Sequence, residues 1–375
     1  MRIGIDARIL GHPRSGIAVY AINLIEQFLT YKDSGIVLFG DRPIYQEYKY
    51  ITDKAEVVVF GQEHRKRWSQ FYLPAQLKKY KIDVYHAIWN NAVPIFTDVP
   101  SVLTVHDIIP FVVPGYFKNI QRRYKYIFSM QSALWKAQAV IVDASNTKSD
   151  LIKYFKVPSE KITVIPLGIK REFLPPLKGK EEMMKGVLNK FGINRDYIVN
   201  IGSFDKRRNV DALLRVFSRF IKNTNVNCQL VLIGGYDNFP QEISRLDAII
   251  NDLSLKGKVI LTNYISQQEK AFLIYMARMM VHLSLYEGFC FPVLETMRAG
   301  IPVIASNTGS IPEVAGDAAI LVDPRNEIEA AAAIEKIWND KNLADNLIKK
   351  GYRRIENFSW EKTASQTREV YEKIS

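Results

Sequence analysis

Residues 280–307 read MVHLSLYEGFCFPVLETMRAGIPVIASN. MVHLSL is an apolar run of strand length, and YEGF carries the chain off it. Pro292 suits the first turn of a helix, where its missing N–H costs nothing, so PVLETMRAG reads as that helix. PVIASN is the next strand. Strand, helix, strand is the unit of a parallel, doubly wound sheet.

The same alternation extends both ways. YIVNIGS, QLVLIGG, KVILTNYI and AAILVD read as companion strands, and DALLRVFSRFI, KAFLIYMARM and EIEAAAAIEKIWND as helices between them. Upstream, RIGIDAR, IVLFG, AEVVVF, DVYHA, SVLTVHD and AVIVDAS form a second set of strands, with helical periodicity over 17–30. A Pro-rich, charged stretch at 166–186 interrupts the pattern. These readings predict an α/β chain of two Rossmann-like domains: residues 1–170, a linker over 171–190, and residues 191–358, with a last helix over 359–375. Open α/β sheets bind ligands at the carboxyl ends of their strands, which puts the chemistry in a cleft between the two domains.

Bulk properties agree. A chain of 375 residues, 47% of them apolar, is long enough for two cores. No apolar run approaches the ~20 residues of a membrane span, and the charged N-terminal MRIGIDARIL reads as a first strand rather than a signal peptide. Two distant cysteines, Cys228 and Cys290, point to no disulfide framework and to a reduced, cytoplasmic protein. The net charge of +12 is uneven: residues 1–170 carry +9, from 23 Lys and Arg against 14 Asp and Glu. The segments 64–81 and 118–130 mix Lys and Arg with Trp, Tyr and Phe, which suits an anionic membrane surface or a diphospho-lipid acceptor, and equally a solvated basic face. No nucleic-acid reading motif accompanies this charge, so nucleic acid is not an expected partner.

The chemistry concentrates around YEGFCFP. Gly288 permits close approach of a ligand to the backbone, and the N–H groups of Phe289, Cys290 and Phe291 lie near a helix start, an anion site that fits a diphosphate. Glu295, placed in the first turn, suits the two hydroxyls of a ribose, or complements the helix dipole. Glu287, at the strand end, suits a sugar hydroxyl or a developing positive charge. In GSFDKRRN, Arg207 and Arg208 suit a pyrophosphate through charge-assisted, bidentate bonds, or form a solvated basic turn capped by Asp205. No Asp-x-Asp and no Gly-x-Gly-x-x-Gly occurs, and the Gly11/Gly16 spacing lacks the Lys and Ser/Thr of a P-loop. No metal and no cofactor is expected beyond a nucleotide-sugar substrate.

EGFCFPVLETMRAGIPVIASNTGSIPEV resembles the Glu-x7-Glu motif of the family-four, GT-B fold glycosyltransferases, of the form EGFGLPxLEAMAxGxPVIAS followed by GxxPEV. Cys290 stands where the family usually has Gly, and Phe291 is a second departure. The resemblance covers nearly the whole chain. It implies a retaining transfer from a nucleoside-diphosphate sugar and a last helix that returns to the first domain. By it, Gly16 in GHPRSGIAVY matches the family's glycine loop against the donor. His106 in VLTVHDIIP matches a His near the reacting sugar, with Asp107 orienting it or capping a loop. Arg208 takes the place of the family's lysine, and Ser203 that of a frequent early Arg. Asn263, Tyr264 and Ile265 match a segment that reads the nucleobase through its backbone. Catalysis then falls to His106, Glu287 and Asp107. Similarity to mannosyltransferase-like members points to GDP-mannose, with a saccharide or lipid-linked acceptor in cell-surface polysaccharide synthesis. The competing readings are a GT-B phosphorylase or nucleotide-sugar epimerase and, in another class, a basic non-catalytic protein that binds nucleic acid or sugar nucleotides.

Overall fold

The computed structural model describes all residues except 13, 14, 32, 34, 61–67, 91, 114, 115, 118, 170–178 and 236–239. Met1–Gly168 and Phe358–Ser375 form one compact unit, and Ile169–Asn357 the other.

In the first unit the order is β1 (Arg2–Asp6), α1 (Gly16–Phe28), β2 (Gly35–Gly40), β3 (Glu56–Val59), α2 (Leu73–Lys79), β4 (Val84–Ala87), β5 (Ser101–Val105), α3 (Ile109–Val112), α4 (Ile120–Lys136), β6 (Ala139–Val142), α5 (Ser145–Phe155) and β7 (Ile162–Val164). The second runs α6 (Glu181–Lys190), β8 (Tyr197–Ile201), α7 (Val210–Thr224), β9 (Gln229–Ile233), α8 (Pro240–Asp252), β10 (Val259–Leu261), α9 (Gln267–Tyr275), β11 (Met279–His282), α10 (Phe291–Arg298), β12 (Val303–Ser306), α11 (Ile311–Ala315), β13 (Ile320–Val322), α12 (Glu327–Asn339) and α13 (Lys341–Ile355). Helix α14 (Trp360–Glu372) belongs to the first unit.

Both sheets are wholly parallel. Their strand orders are β3-β2-β1-β4-β5-β6-β7 and β10-β9-β8-β11-β12-β13. Each winds outward from its first strand, returns, and winds the other way, so each has a switch point, at β1/β4 and at β8/β11. The central strands are buried because helices cover the sheets, while the edge strands β3 and β10 are only partly so. α7 places Val210, Leu213, Leu214, Phe217, Phe220 and Ile221 in the core shared with Leu230, Leu232 and Val281.

The six strands read from sequence in each half are all present, and β7 adds a seventh to the first sheet. Of the stretch expected as linker, residues 171–178 lie outside the described residues, and 181–190 form α6, which packs against α9. Residues 64–67 and 118 of the basic segments also lie outside the described residues.

Helix α14 starts at Ser359, whose hydroxyl caps Lys362 N. It lies against α1. A side chain at Gly168 would collide with the Trp360 backbone, so glycine is what lets the helix start sit there. Thr363 donates to the Pro166 carbonyl at 2.7 Å, and Arg368 pairs with Asp33.

Candidate active site

In the second unit, the loops after β8 and β11 are neighbours because their strands are. A side chain at Gly234, just past β9, would collide with the Gly202 carbonyl, so the turn after β8 requires glycine at its neighbour. That turn carries Ser203, Arg207 and Arg208. Asp205 caps it by accepting Arg207 N at 3.2 Å, and the Ser203 hydroxyl donates to Asp205 at 2.6 Å. The loop after β11 is anchored from two sides. Leu285 N donates to the Arg207 carbonyl at 2.7 Å, while Ser306 and Thr308 donate to the Ser284 carbonyl at 2.6 and 3.1 Å. Ser310 donates to the Glu287 carbonyl through both its N–H and its hydroxyl. Gly309, at φ +59°, packs so closely on Glu287 that a Cβ would lie 2.8 Å from its carbonyl.

This scaffold aims Glu287 into the switch point. Its carboxylate, 5% exposed, accepts from Arg207 Nη1 at 3.0 Å, from Arg208 Nη1, and from the Ser284 hydroxyl at 2.7 Å. His282 Nε2 lies 3.3 Å away. Burial alone would raise the Glu287 carboxyl, but Arg208, His282 and Arg207 outweigh it and hold it far below the usual carboxylate range. Burial pushes His282 the other way, below its ordinary value and toward the neutral ring. Glu287 is therefore an ionised carboxylate with two guanidinium partners.

Next to it, Cys290 precedes α10 as its N-cap, a non-glycine residue at φ +70° and ψ +63°, with Pro292 in the first turn. The family's usual glycine suits this left-handed conformation, and the chain keeps the conformation with a buried Cys290. Gly288 and Phe289 are buried, Phe291 is half-buried, and the two phenyl rings pack edge-on at 5.4 Å. Glu295 is in the second turn of α10, not the first, because the helix starts at Phe291; no acidic residue occupies the first turn. Glu295 does not complement the dipole. It pairs instead with Lys270 of α9, at 2.8 and 2.9 Å.

Lys270 was not singled out in the sequence. Its only signal was its place in the helix that follows the Asn263-Tyr264-Ile265 segment. Those three residues sit past β10. Asn263 is at φ +58° and bridges to Gly234, and Tyr264 is 66% exposed with its ring beside Gly235.

The imidazole of His282, the Glu287 carboxylate and the Cys290 thiol place ligand atoms within 4.8 Å of one another, a grouping that could hold a metal. The fit is poor on charge grounds. The carboxylate already faces Arg207 and Arg208, which repel a cation, and burial raises the thiol pKa strongly, so the metal-binding thiolate is disfavoured.

The first unit holds the other candidates. His106 follows β5, and its Nδ1 lies 2.7 Å from Asp143 Oδ2 at the carboxyl end of β6. Burial disfavours the imidazolium, but Asp143, and less strongly Asp107, reverse this and raise the His106 pKa. The residue that orients His106 is thus Asp143. Asp107 accepts Ile109 N at 3.0 Å and caps the loop into α3. Strand order could have revealed this, since AVIVDAS neighbours SVLTVHD and both strands end on polar residues. His106 Nε2 is buried, and the Ile88 backbone adds to the pull that favours the imidazolium. Gly16 is the first residue of α1, after Ser15, whose hydroxyl accepts Ala18 N. Among the described residues, a Cβ on Gly16 would meet nothing within 4 Å, so their packing does not explain the glycine. Asn146, the second residue of α5, donates to Asp150 at 3.1 Å.

A family model for glycosyl transferases group 1 matches residues 188–354, and one for glycosyltransferase family 4 matches residues 14–173. The chain is 29% identical over 297 residues to O-antigen chain mannosyltransferase B of Escherichia coli, covering 79% of this chain and 75% of that one. It is 30% identical to the MMP alpha-(1→4)-mannosyltransferase of Mycolicibacterium hassiacum over 68% of this chain and 58% of that one. The Anabaena protein HepE, solved in complex with UDP and glucose, shares the fold at a TM-score of 0.79 and 18% identity, with both chains fully covered. The chain belongs to the family-four glycosyltransferases of the GT-B fold.

Proposed function

We propose that this glycosyltransferase moves mannose from GDP-mannose to a saccharide or lipid-linked saccharide in cell-surface polysaccharide synthesis, with retention of configuration and without a metal ion. The observation that carries the reading is the pairing of Arg207 and Arg208 on one buried carboxylate, Glu287, at the β8/β11 switch point beside the start of α10.

Breaking the anomeric C–O bond leaves negative charge on the diphosphate and positive charge on the sugar. Arg207, Arg208 and the N-terminus of α10 answer the first charge. Glu287 supplies the countercharge to the same guanidinium groups before the diphosphate arrives. Once the phosphates take over that task, its carboxylate can turn to a sugar hydroxyl or to the developing positive charge. Glu295 is assigned to the ribose, with Lys270 fixing its direction. Asn263, Tyr264 and Ile265 are assigned to the base, and Gly16 and His106 of the first unit to the donor sugar.

Mannose as the donated sugar is supported by the two mannosyltransferases that the chain resembles. Among the described residues, no helix is long and apolar enough to cross a membrane. A peripheral seat on an anionic bilayer, on its cytoplasmic face, is supported by α4. Ile120, Tyr124 and Phe128 follow one another at four-residue spacing, with Trp135 seven further on the same face. They are 59%, 66%, 73% and 73% exposed. Arg122, Arg123 and Lys125 lie among them, and the helix has no acidic residue.

The test is a thermal-shift screen with UDP-, GDP-, dTDP- and ADP-sugars, followed by transfer assays with the best donor. GDP-mannose is expected to raise the melting temperature most, and Arg208→Ala and Glu295→Ala to abolish that rise. Stabilisation by no nucleotide sugar, or one that survives both substitutions, would overturn the reading.

A further inference from the structure

A line of polar groups runs through the core of the first unit. The Tyr371 hydroxyl, on α14, lies 2.6 Å from His86 Nδ1. His86 Nε2 lies 2.7 Å from Thr104 Oγ1, which lies 3.0 Å from the Tyr20 hydroxyl. None of the four residues is more than 1% exposed. Apolar side chains would fill this core without the cost of dehydrating hydroxyls and an imidazole. A neutral imidazole offers one donor and one acceptor, so His86 links the two hydroxyls on either side of it. Burial, and next the charge of His106, keep His86 neutral, with a pKa lowered to about 3.

The far end of the line is the Tyr20 ring, which meets His106 edge to face, with centroids 4.7 Å apart and planes at 76°. The Asp143 hydrogen bond fixes one ring atom of His106, and the Ile88 backbone also favours the protonated ring, so packing has to set the tilt of the ring between them. Tyr20, held at its hydroxyl by Thr104, supplies that packing. The ionisable groups around His106 are Asp143 past β6, Asp107 beside it, His86 on β4 and Tyr20 on α1.

We infer that Tyr371 is a positioning residue for the His106 imidazole, acting through His86, Thr104 and Tyr20, so that the last helix of the chain sets the geometry of a catalytic group in the first unit. Its bearing on turnover rests on the role proposed above for His106.

The test uses the full chain with nitrogen-15 histidine and follows the His106 ring by NMR against pH. Tyr371→Phe keeps the ring that fills the core and removes only the hydroxyl. Thr104→Val removes the central hydroxyl, and Thr104→Ser keeps it. A His106 ring displaced relative to Asp143 changes its electrostatic partner geometry, so its proton-binding constant is expected to change by about threefold or more in Tyr371→Phe and Thr104→Val, and to stay at the wild-type value in Thr104→Ser. With GDP-mannose as donor, kcat is expected to fall about three- to tenfold in the first two variants, with KM within about twofold. Lower melting temperatures with an unmoved His106 titration would overturn the inference and leave the line a purely structural device. A moved titration, with turnover unchanged in both Tyr371→Phe and His106→Asn, would keep the positioning and overturn the catalytic assignment of His106 instead.

Discussion

Replacing Glu287 with Gln keeps the shape of the side chain and removes the charge that Arg207 and Arg208 share. In the wild type the carboxylate is 5% exposed and accepts from both guanidinium groups and from Ser284. In Glu287→Gln two half-buried cations lose the countercharge they share, and Arg207 is left with Asp205, 3.3 Å from its Nε. Breaking a buried pair on one side costs about 3 kcal/mol or more. For a unit of this size that lowers the calorimetric midpoint by about 10 °C. A nucleoside diphosphate carries the missing charge, so saturating GDP should stabilise the variant by at least ~1 kcal/mol more than it stabilises the wild type, although turnover is lost. The pH dependence has a definite sign. The folded Glu287 carboxyl titrates below its ordinary value, so its contribution is complete above about pH 4.5 and is lost as pH falls through the folded value. The variant should therefore show a shallower acid limb. A midpoint within about 2 °C of wild type, or a GDP effect no larger than in wild type, would refute the idea that Glu287 and the diphosphate compete for the same two cations.

Other outcomes follow from single contacts. Gly234→Ala drives a methyl group into the Gly202 carbonyl and should cost about 3 kcal/mol, or abolish soluble expression, as read by denaturant unfolding. Asp143→Asn should lower the His106 pKa, because the carboxylate that favours the imidazolium is gone; histidine NMR reads the shift. In that variant, the stability that the imidazolium supplies below its unfolded pKa should shrink, flattening the loss of stability as pH rises. Phe128→Ala combined with Trp135→Ala should cut co-sedimentation with vesicles rich in phosphatidylglycerol at least tenfold, since each buried ring contributes more than ~1 kcal/mol, and leave the fold unchanged by circular dichroism.

Strand periodicity carried most of the fold. All twelve strands read from the sequence exist because each is an apolar run with polar punctuation, and burial on both faces of a parallel sheet demands that pattern. β7, the strand that went unread, differs from the equally short edge strands β10 and β13 in its exposed Thr163, which breaks the apolar run. Arg207, Arg208 and Glu287 were legible because two loops carry them and strand order makes those loops neighbours. Their mutual pairing was not, since nothing local tells a guanidinium group whether its anion is a ligand or a glutamate eighty residues away. Asp143 and Lys270 were missed for the same reason: each matters through a partner brought in by sheet order or helix packing. The turn occupied by Glu295 was misread because the helix begins at Phe291 behind a left-handed Cys290, an offset of backbone that composition does not reveal.

Helix α14 closes the first unit only after the intervening 189 residues of Ile169–Asn357 have been made. At 5–20 residues per second a ribosome needs roughly 10–40 s for that stretch. Throughout that interval His86 and the face of α1 that carries Tyr20 and Phe28 wait for a cover not yet synthesised. The order of completion on the ribosome is thus the reverse of the order of synthesis: the later unit has all its parts first. A released chain that stops at Asn357 should carry a finished second unit and a first unit still open to chaperones.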